Sequence, residues 1–425
     1  MELAFSLLVL FFLLLMLRVP IAISLAIPSL VGFLAIGFNL NAVGGMLYTS
    51  ISANSLMSIP GYVLAGAIMG NGGISHRLLN MMRAWIGHIP GGMAIVTIFA
   101  CGFFAAITGS STATIAAIGG MMIPAMVDSN YDRKVSMGLV ACAGSLGILI
   151  PPSIPMILYA TIAEQSIAKI FAAGMVPGLV VMAFFTLYVL FYSTLHKQGK
   201  TPKCNMKERM NYTMSALPGV FLPVLILGGI YSGIMTPTES AAVACVYALF
   251  ISFFIYRDYT WRKFAEALQD AAKSTAVIMF IVVSCSMFSL FLTTTRIPHR
   301  ILEIVAASNI SVLSMVMICN LIILVLGCFM DGVSIMLIAA PLMVPIVGSM
   351  GFDLIQFGIV MTVGIQVGQI TPPVGMNLFV VSGMMKAQVT DVIKGSLPFL
   401  ALLMVVWLLV SIFPSISLWA IQFLN

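Results

Sequence analysis

The stretch Gly147-Ile148-Leu149-Ile150-Pro151-Pro152 returns later in the chain as Gly368-Gln369-Ile370-Thr371-Pro372-Pro373. Pro151 and Pro372 stand 372 − 151 = 221 positions apart, and the same offset relates Pro124 to Pro345 and Asp132 to Asp353. Both stretches lie in apolar surroundings. A double proline there removes backbone donors and interrupts the helix. Two broken helices at matching places in two halves point to the binding site of a secondary transporter.

Composition sets the surroundings. Of 425 residues, 61% are hydrophobic and 8% charged, and the mean hydropathy is +1.13. Apolar runs of roughly 20 residues recur along the chain, the pattern of a polytopic helical membrane protein. The seven cysteines stand singly, with no CxxC or His/Cys cluster, which argues for packing thiols over a metal or redox cofactor. The formal charge of +6 sits at span ends, so it reports orientation and gives no sign of nucleic-acid binding. Residues 3–17 lack a charged n-region and a small-residue cleavage site, and are expected to be a retained first span.

Spans are expected at 2–18, 19–38, 45–71, 134–163, 166–195, 215–234, 239–256, 273–294, 354–384 and 396–421. The segments 93–126 and 311–348 are too long for one upright crossing and have polar, glycine-containing centres, Thr108-Gly109-Ser110-Ser111-Thr112 and Met330-Asp331-Gly332-Val333-Ser334. Each is expected to be a re-entrant hairpin with a protected tip. With both termini periplasmic, Arg18, Arg77, Arg83, Arg133, Lys134, the 196–209 cluster, Arg257, Arg262, Lys263, Lys386 and Lys394 all fall on the cytoplasmic side, whereas Arg296 and Arg300 do not. The expected fold is an all-α, inverted-repeat transporter. Its first repeat, 1–195, holds a surface helix at 74–88, a hairpin at 93–126 and a broken helix at 134–163. A cytoplasmic basic linker follows at 196–214. The second repeat, 215–425, holds a surface helix at 296–308, a hairpin at 311–348 and a broken helix at 354–384.

Oxygen atoms mark the candidate site. Thr108, Ser110, Ser111 and Thr112 supply hydroxyls at the first tip, and Gly109 lets the backbone bend. Helix breaks leave carbonyls free around Gly147, Ile150 and Pro151, and again around Gly368, Thr371 and Pro372. Such oxygens suit a hard cation, and helix N-termini suit a carboxylate. Asp331, with Gly332 beside it, occupies the second-tip position equivalent to Ser110. A carboxylate there is either a coupling group or a helix cap. Ser153, Asn377 and Ser382 extend the polar lining as substrate candidates. Small-residue packing and simple proline kinks are the competing readings. In Thr236-Pro237-Thr238-Glu239, Pro237 breaks the helix and Thr238 with Glu239 is expected to cap the next one. The four histidines sit at membrane borders. A serine hydrolase would need a base within reach of Ser110 or Ser111, so an enzyme is not expected.

These motifs resemble the large membrane subunit of the tripartite ATP-independent periplasmic (TRAP, DctM-like) transporters. The likeness rests on Ile59-Pro60, Gly72-Gly73-Ile74-Ser75, Gly87-His88-Ile89-Pro90-Gly91-Gly92, Phe104-Ala105-Ala106-Ile107-Thr108-Gly109-Ser110-Ser111, Gly147 to Pro155, Thr236 to Glu239, Met330-Asp331-Gly332 and Thr371-Pro372-Pro373-Val374-Gly375-Met376-Asn377. It spans nearly the whole chain; Ser58-Ile59-Pro60-Gly61-Tyr62 departs from the more apolar stretch usual there. The resemblance implies Na⁺-driven uptake of an organic acid by an elevator motion in a bacterial or archaeal inner membrane. It further implies a small four-helix membrane subunit, expected as a separate partner, and a periplasmic substrate-binding protein. Family Na⁺ sites lie where tips meet breaks. One Na⁺ is therefore expected at Ser110, Ser111, Gly147, Ile150 and Pro151, and another at Asp331, Gly332, Gly368, Thr371 and Pro372. Thr108, Ser111, Ser153, Asn377 and Ser382 remain for the substrate, with C4-dicarboxylate, sugar acid and sialic acid all open. The alternatives are a stand-alone Na⁺/dicarboxylate symporter and a passive channel.

Overall fold

Nineteen α-helices and no strand make up the described residues of the computed structural model, which are 2–17, 19–71, 73–196, 198, 203–297, 300, 302–303 and 310–424. The first half runs α1 (Glu2–Met16), α2 (Ile21–Ala35), α3 (Leu40–Ile51), α4 (Ser58–Asn71), α5 (Ile74–Ile86), α6 (Gly92–Thr108), α7 (Ser111–Asp128), α8 (Arg133–Gly144), α9 (Ile154–Ile162) and α10 (Ile167–His196). The second runs α11 (Met206–Tyr231), α12 (Pro237–Phe250), α13 (Trp261–Thr294), α14 (Val312–Gly327), α15 (Gly332–Ser349), α16 (Leu354–Ile370), α17 (Met376–Met385), α18 (Val389–Ile412) and α19 (Pro414–Leu418). Seven of these helices, with α12 counted through Ile255, are long and apolar enough to cross a membrane. Large apolar side chains such as Leu187, Leu195, Val224 and Val246 stand exposed on α10, α11 and α12, where a soluble protein would carry charge.

The three residue pairs at offset 221 occupy equivalent structural points. The Asp132 side chain caps α8 by accepting from Lys134 N at 2.7 Å, and Asp353 caps α16 by accepting from Gln356 N at 2.8 Å. Pro124 lies inside α7 and Pro345 inside α15. The prolines at 151–152 separate α8 from α9, and those at 372–373 separate α16 from α17. Both Pro-Pro bonds are cis.

The helices group into two bodies by their packing. One contains α6–α10 and α14–α18; α8 and α18 touch backbone to backbone, where a Cβ on Gly395 would fall on the Lys134 carbonyl. The other contains α1–α5 and α11–α13, with α13 packed on α2 and α4 and α12 on α4. They meet where α4 and α5 touch α6 and where α13 touches α15. Ser55 Oγ lies 3.0 Å from Thr161 Oγ1 across this seam, and the Cys285 thiol donates across it to the Leu337 carbonyl.

Four expected boundaries change, one of them at 396–421, where α18 begins at Val389 and ends at Ile412 and α19 starts at Pro414. The stretch 45–71 is two helices, because the chain turns at 52–57 before Pro60 enters the first turn of α4. The linker expected at 196–214 gives way to α11 from Met206, since Asn205 and Glu208 form a capping box. The span expected at 273–294 is the far end of a 34-residue helix that starts at Trp261, with the Thr260 hydroxyl accepting from Lys263 N. The helix α5 matches the amphipathic stretch at 74–88. Leu78 and Leu79 are buried, and Arg77 reaches Asp258 at 2.6 Å with its guanidinium 4.0 Å above the Tyr256 ring. Thr236, in place of the expected Thr238, forms the capping box of α12 with Glu239. Most of the surface helix expected at 296–308, His299 included, lies outside the described residues, as do Arg18, Gly72 and Lys197.

Candidate functional site

The first tip is built by a glycine in the left-handed region. Gly109 ends α6 at φ +59°, a conformation that strains side chains with a Cβ. An added Cβ would also sit 2.9 Å from the Pro152 carbonyl oxygen, so the tip presses on the first break. Ser110 is extended and precedes α7; its carbonyl accepts from Thr114 N at 3.1 Å and Thr114 Oγ1 at 2.9 Å. Gly147 faces that carbonyl from the 3₁₀ turn Ser145–Ile148, and a Cβ there would lie 2.4 Å from the oxygen. Tip and break therefore meet through backbone.

The second tip shows the same logic with a different residue. Asp331 precedes α15, and its carboxylate accepts from Val333 N at 3.1 Å, Ser334 N at 3.3 Å and Ser334 Oγ at 2.5 Å. Capping is thus established for Asp331. Gly327 and Gly368 stand back to back, each leaving no room for a Cβ on the other, which draws the end of α14 onto the end of α16. Gly375 N then donates to the Cys328 carbonyl at 3.0 Å, tying α17 to the tip.

Both tips open into one cavity of about 470 Å³. Ser110, Ser111 and Thr112 line it from the first tip, and Asp331, Gly332 and Val333 from the second. A second cavity of about 570 Å³ adjoins it along the seam, sharing Ser110, Thr112, Ile154, Ser274 and Ile278. Behind the tips the two broken helices cross. Gln366 Nε2 donates to the Ser145 carbonyl at 2.9 Å, joining positions 221 apart. Gln366 and Gln369 are buried, and the Oε1 atom of each has no hydrogen-bond partner. A buried acceptor left open needs a water or a cation. Gln369 also lines the cavity, as do Lys273 and Ser274 of α13. Motif reading passed over these three. Gln369 sat inside the repeated hexapeptide, and Lys273 was hidden at the edge of a predicted span.

The remaining candidates divide. Ser111 Oγ donates to Asn377 Oδ1 at 2.9 Å, and Asn377 Nδ2 donates to the Ala141 carbonyl at 3.4 Å, so Asn377 braces the first tip from beneath. Thr108 Oγ1 lies 2.8 Å from Thr114 Oγ1 and lines the second cavity. Thr371 Oγ1 donates to the Val367 carbonyl at 2.7 Å, which leaves its oxygen able to accept. The Ile150 side chain packs against Gly178 of α10, leaving only its backbone near the break. Pro151 is buried, whereas Pro372 is exposed, so the two breaks differ in access. Two substrate candidates are set apart. Ser153 is fully buried, and its hydroxyl closes the break by donating to the Ile148 carbonyl at 2.6 Å. Ser382 donates to the Ala387 carbonyl at the far end of α17; five helical residues carry it about 7.5 Å past Asn377 and onto another face.

Residues 8–416 match the family described as tripartite ATP-independent periplasmic transporter, DctM component. The chain belongs to that family. It is 41% identical to the C4-dicarboxylate TRAP transporter large permease protein DctM of Pseudomonas aeruginosa, over 88% of this chain and 87% of that one. It is 38% identical to the isethionate TRAP transporter permease protein DctMQ of Oleidesulfovibrio alaskensis, over 96% of this chain and 65% of the longer protein. With the sialic acid permease protein SiaT of Haemophilus influenzae the identity is 34%, again covering 65% of the relative. In fold, the chain is similar to the crystal structure of the Alcanivorax borkumensis YdaH transporter, with a TM-score of 0.65 at 14% identity, covering 88% and 89% of the two chains. This DctM-family protein is therefore an all-helical TRAP transporter large permease, and its named relatives are permeases.

Proposed function

We propose that this permease is the large membrane subunit of a Na⁺-driven importer for an organic acid anion. The observation that carries the reading is the meeting of both hairpin tips in one cavity with both broken helices directly behind them. Ser110, Ser111 and the break at Gly147–Pro151 would hold one Na⁺. Asp331, Gly332 and the break at Gly368–Pro372 would hold another. Carbonyl, hydroxyl and carboxylate oxygens are the ligands a hard cation takes, and the open Oε1 atoms of Gln366 and Gln369 add neutral acceptors beside them. Bound cations neutralise Asp331, so an anion can enter between two helix N-termini. A cavity of this size suits a small metabolite. The relatives named for C4-dicarboxylate, isethionate and sialic acid support an acid as cargo.

An elevator motion fits the division into two bodies. The body of hairpins and broken helices would slide against α1–α5 and α11–α13. Small residues face each other along the second cavity, Gly66, Ala67 and Gly70 on α4 against Ala113, Ala116 and Ala117 on α7. Such faces interlock little. The hairpins would enter the membrane from opposite sides as inverted repeats, in the inner membrane of a bacterium or archaeon, with both termini periplasmic. A small four-helix subunit would complete the static body, and a periplasmic binding protein would deliver the substrate. The test is uptake of labelled succinate, isethionate and sialic acid in proteoliposomes holding the permease and its small subunit, under an inward Na⁺ gradient. Concentrative uptake that needs both Na⁺ and the binding protein is expected. Uptake without the binding protein would favour a stand-alone symporter, and uptake indifferent to Na⁺ would sink the coupling sites.

A further inference from the structure

The cavity has one wall that the moving body does not supply. Lys273 and Ser274 project into it from α13 and are exposed there. Asp331 stands in the facing wall, yet no ion pair joins it to Lys273, and none joins Lys273 to Asp270 one turn earlier. Among the described residues Lys273 is thus a cation without an ion-pair partner, in a cavity that the starts of α7 and α15 also line. An ionisable group on a spanning helix without a partner marks a pathway or a ligand. Asp331 is bonded to its own helix and, on the reading above, is neutralised by Na⁺. Asp270 borders the second cavity, so among the described residues Lys273 is the one charged side chain besides Asp331 that lines the first.

We propose that Lys273 is the static body's receptor for the acid group of the substrate, a carboxylate or sulfonate lying between the two tips. This rests on the transport reading above and adds the residue that makes the site prefer an anion. Since Lys273 stays behind when the tips move, it meets the substrate at one end of the stroke only. The proteoliposome assay with succinate, isethionate and sialic acid tests this with K273Q and K273R, measuring KM from each face of the membrane. A hydrogen bond to a charged group corresponds to roughly tenfold or more in affinity. K273Q should therefore raise KM at least about tenfold at one face, leave it unchanged at the other, and keep its Na⁺ dependence. K273R, which keeps the charge, should stay near wild type. An unchanged KM at both faces, an equal rise at both, or a K273R protein as impaired as K273Q overturns the assignment. Wild-type protein that shows no Na⁺-dependent uptake of any of the three acids refutes the transport reading, and the role of Lys273 falls with it.

Discussion

Asp331→Asn separates the two duties that Asp331 can perform. Its carboxylate accepts two backbone N–H groups and the Ser334 hydroxyl at the start of α15. Asparagine caps a helix about as well as aspartate, so the cost in folding stability should stay within a few tenths of a kcal/mol. The charge is another matter. At about 4 Å a unit pair is worth roughly 1 kcal/mol in water and roughly 4 kcal/mol near a protein surface. Asp331 is half-buried in an open cavity, which places the loss at about 2 kcal/mol, or roughly thirtyfold in Na⁺ affinity. Initial uptake rates against Na⁺ concentration should show a half-saturation point raised by that factor, while melting without Na⁺ stays near wild type. Asp331→Ala should additionally lower stability by about 1 kcal/mol through the lost cap. An Asn variant with wild-type Na⁺ dependence would show that Asp331 only caps α15 and would refute the second Na⁺ site as drawn.

Gly147→Ala would place a methyl 2.4 Å from the Ser110 oxygen, forcing the first tip away from the break. The overpacking costs about 1–3 kcal/mol and should abolish stabilisation by Na⁺ in a melting assay, whereas Gly383→Ala, exposed inside α17 with nothing within 4 Å, should melt no lower than wild type and keep its stabilisation by Na⁺. Arg77→Ala removes an ion pair and a cation–π contact that pin α5 to the loop before α13. A loss of about 1–2 kcal/mol is expected in thermal unfolding, with Na⁺ dependence of uptake unchanged. Thr236→Ala breaks the capping box of α12 and should cost about 1 kcal/mol by the same measurement, with KM for the substrate intact.

What the sequence could reveal was local and covalent. A proline lacks its N–H wherever it stands, so the double prolines announced both breaks, and the offset of 221 paired them. Glycine-serine and aspartate-glycine stretches inside apolar runs announced both tips, and Thr236 to Glu239 announced a cap. Helix starts governed by polar caps outside the apolar runs, at Met206 and Trp261, are invisible to hydropathy, which counts apolar residues and overlooks capping.

The sequence by itself thus determined that this protein is helical, twice repeated, broken at two points and apolar enough for a membrane. Only the tertiary structure decided what those points face. Ser111 meets Asn377 across 266 residues, Gly147 meets the Ser110 carbonyl, and Lys273 closes a cavity whose other walls come from both halves. It likewise turned Ser153 and Ser382 away from that cavity. The reason is physical: a residue's own chemistry dictates its backbone conformation, but which groups share a cavity depends on how the helices pack, and no local period encodes that.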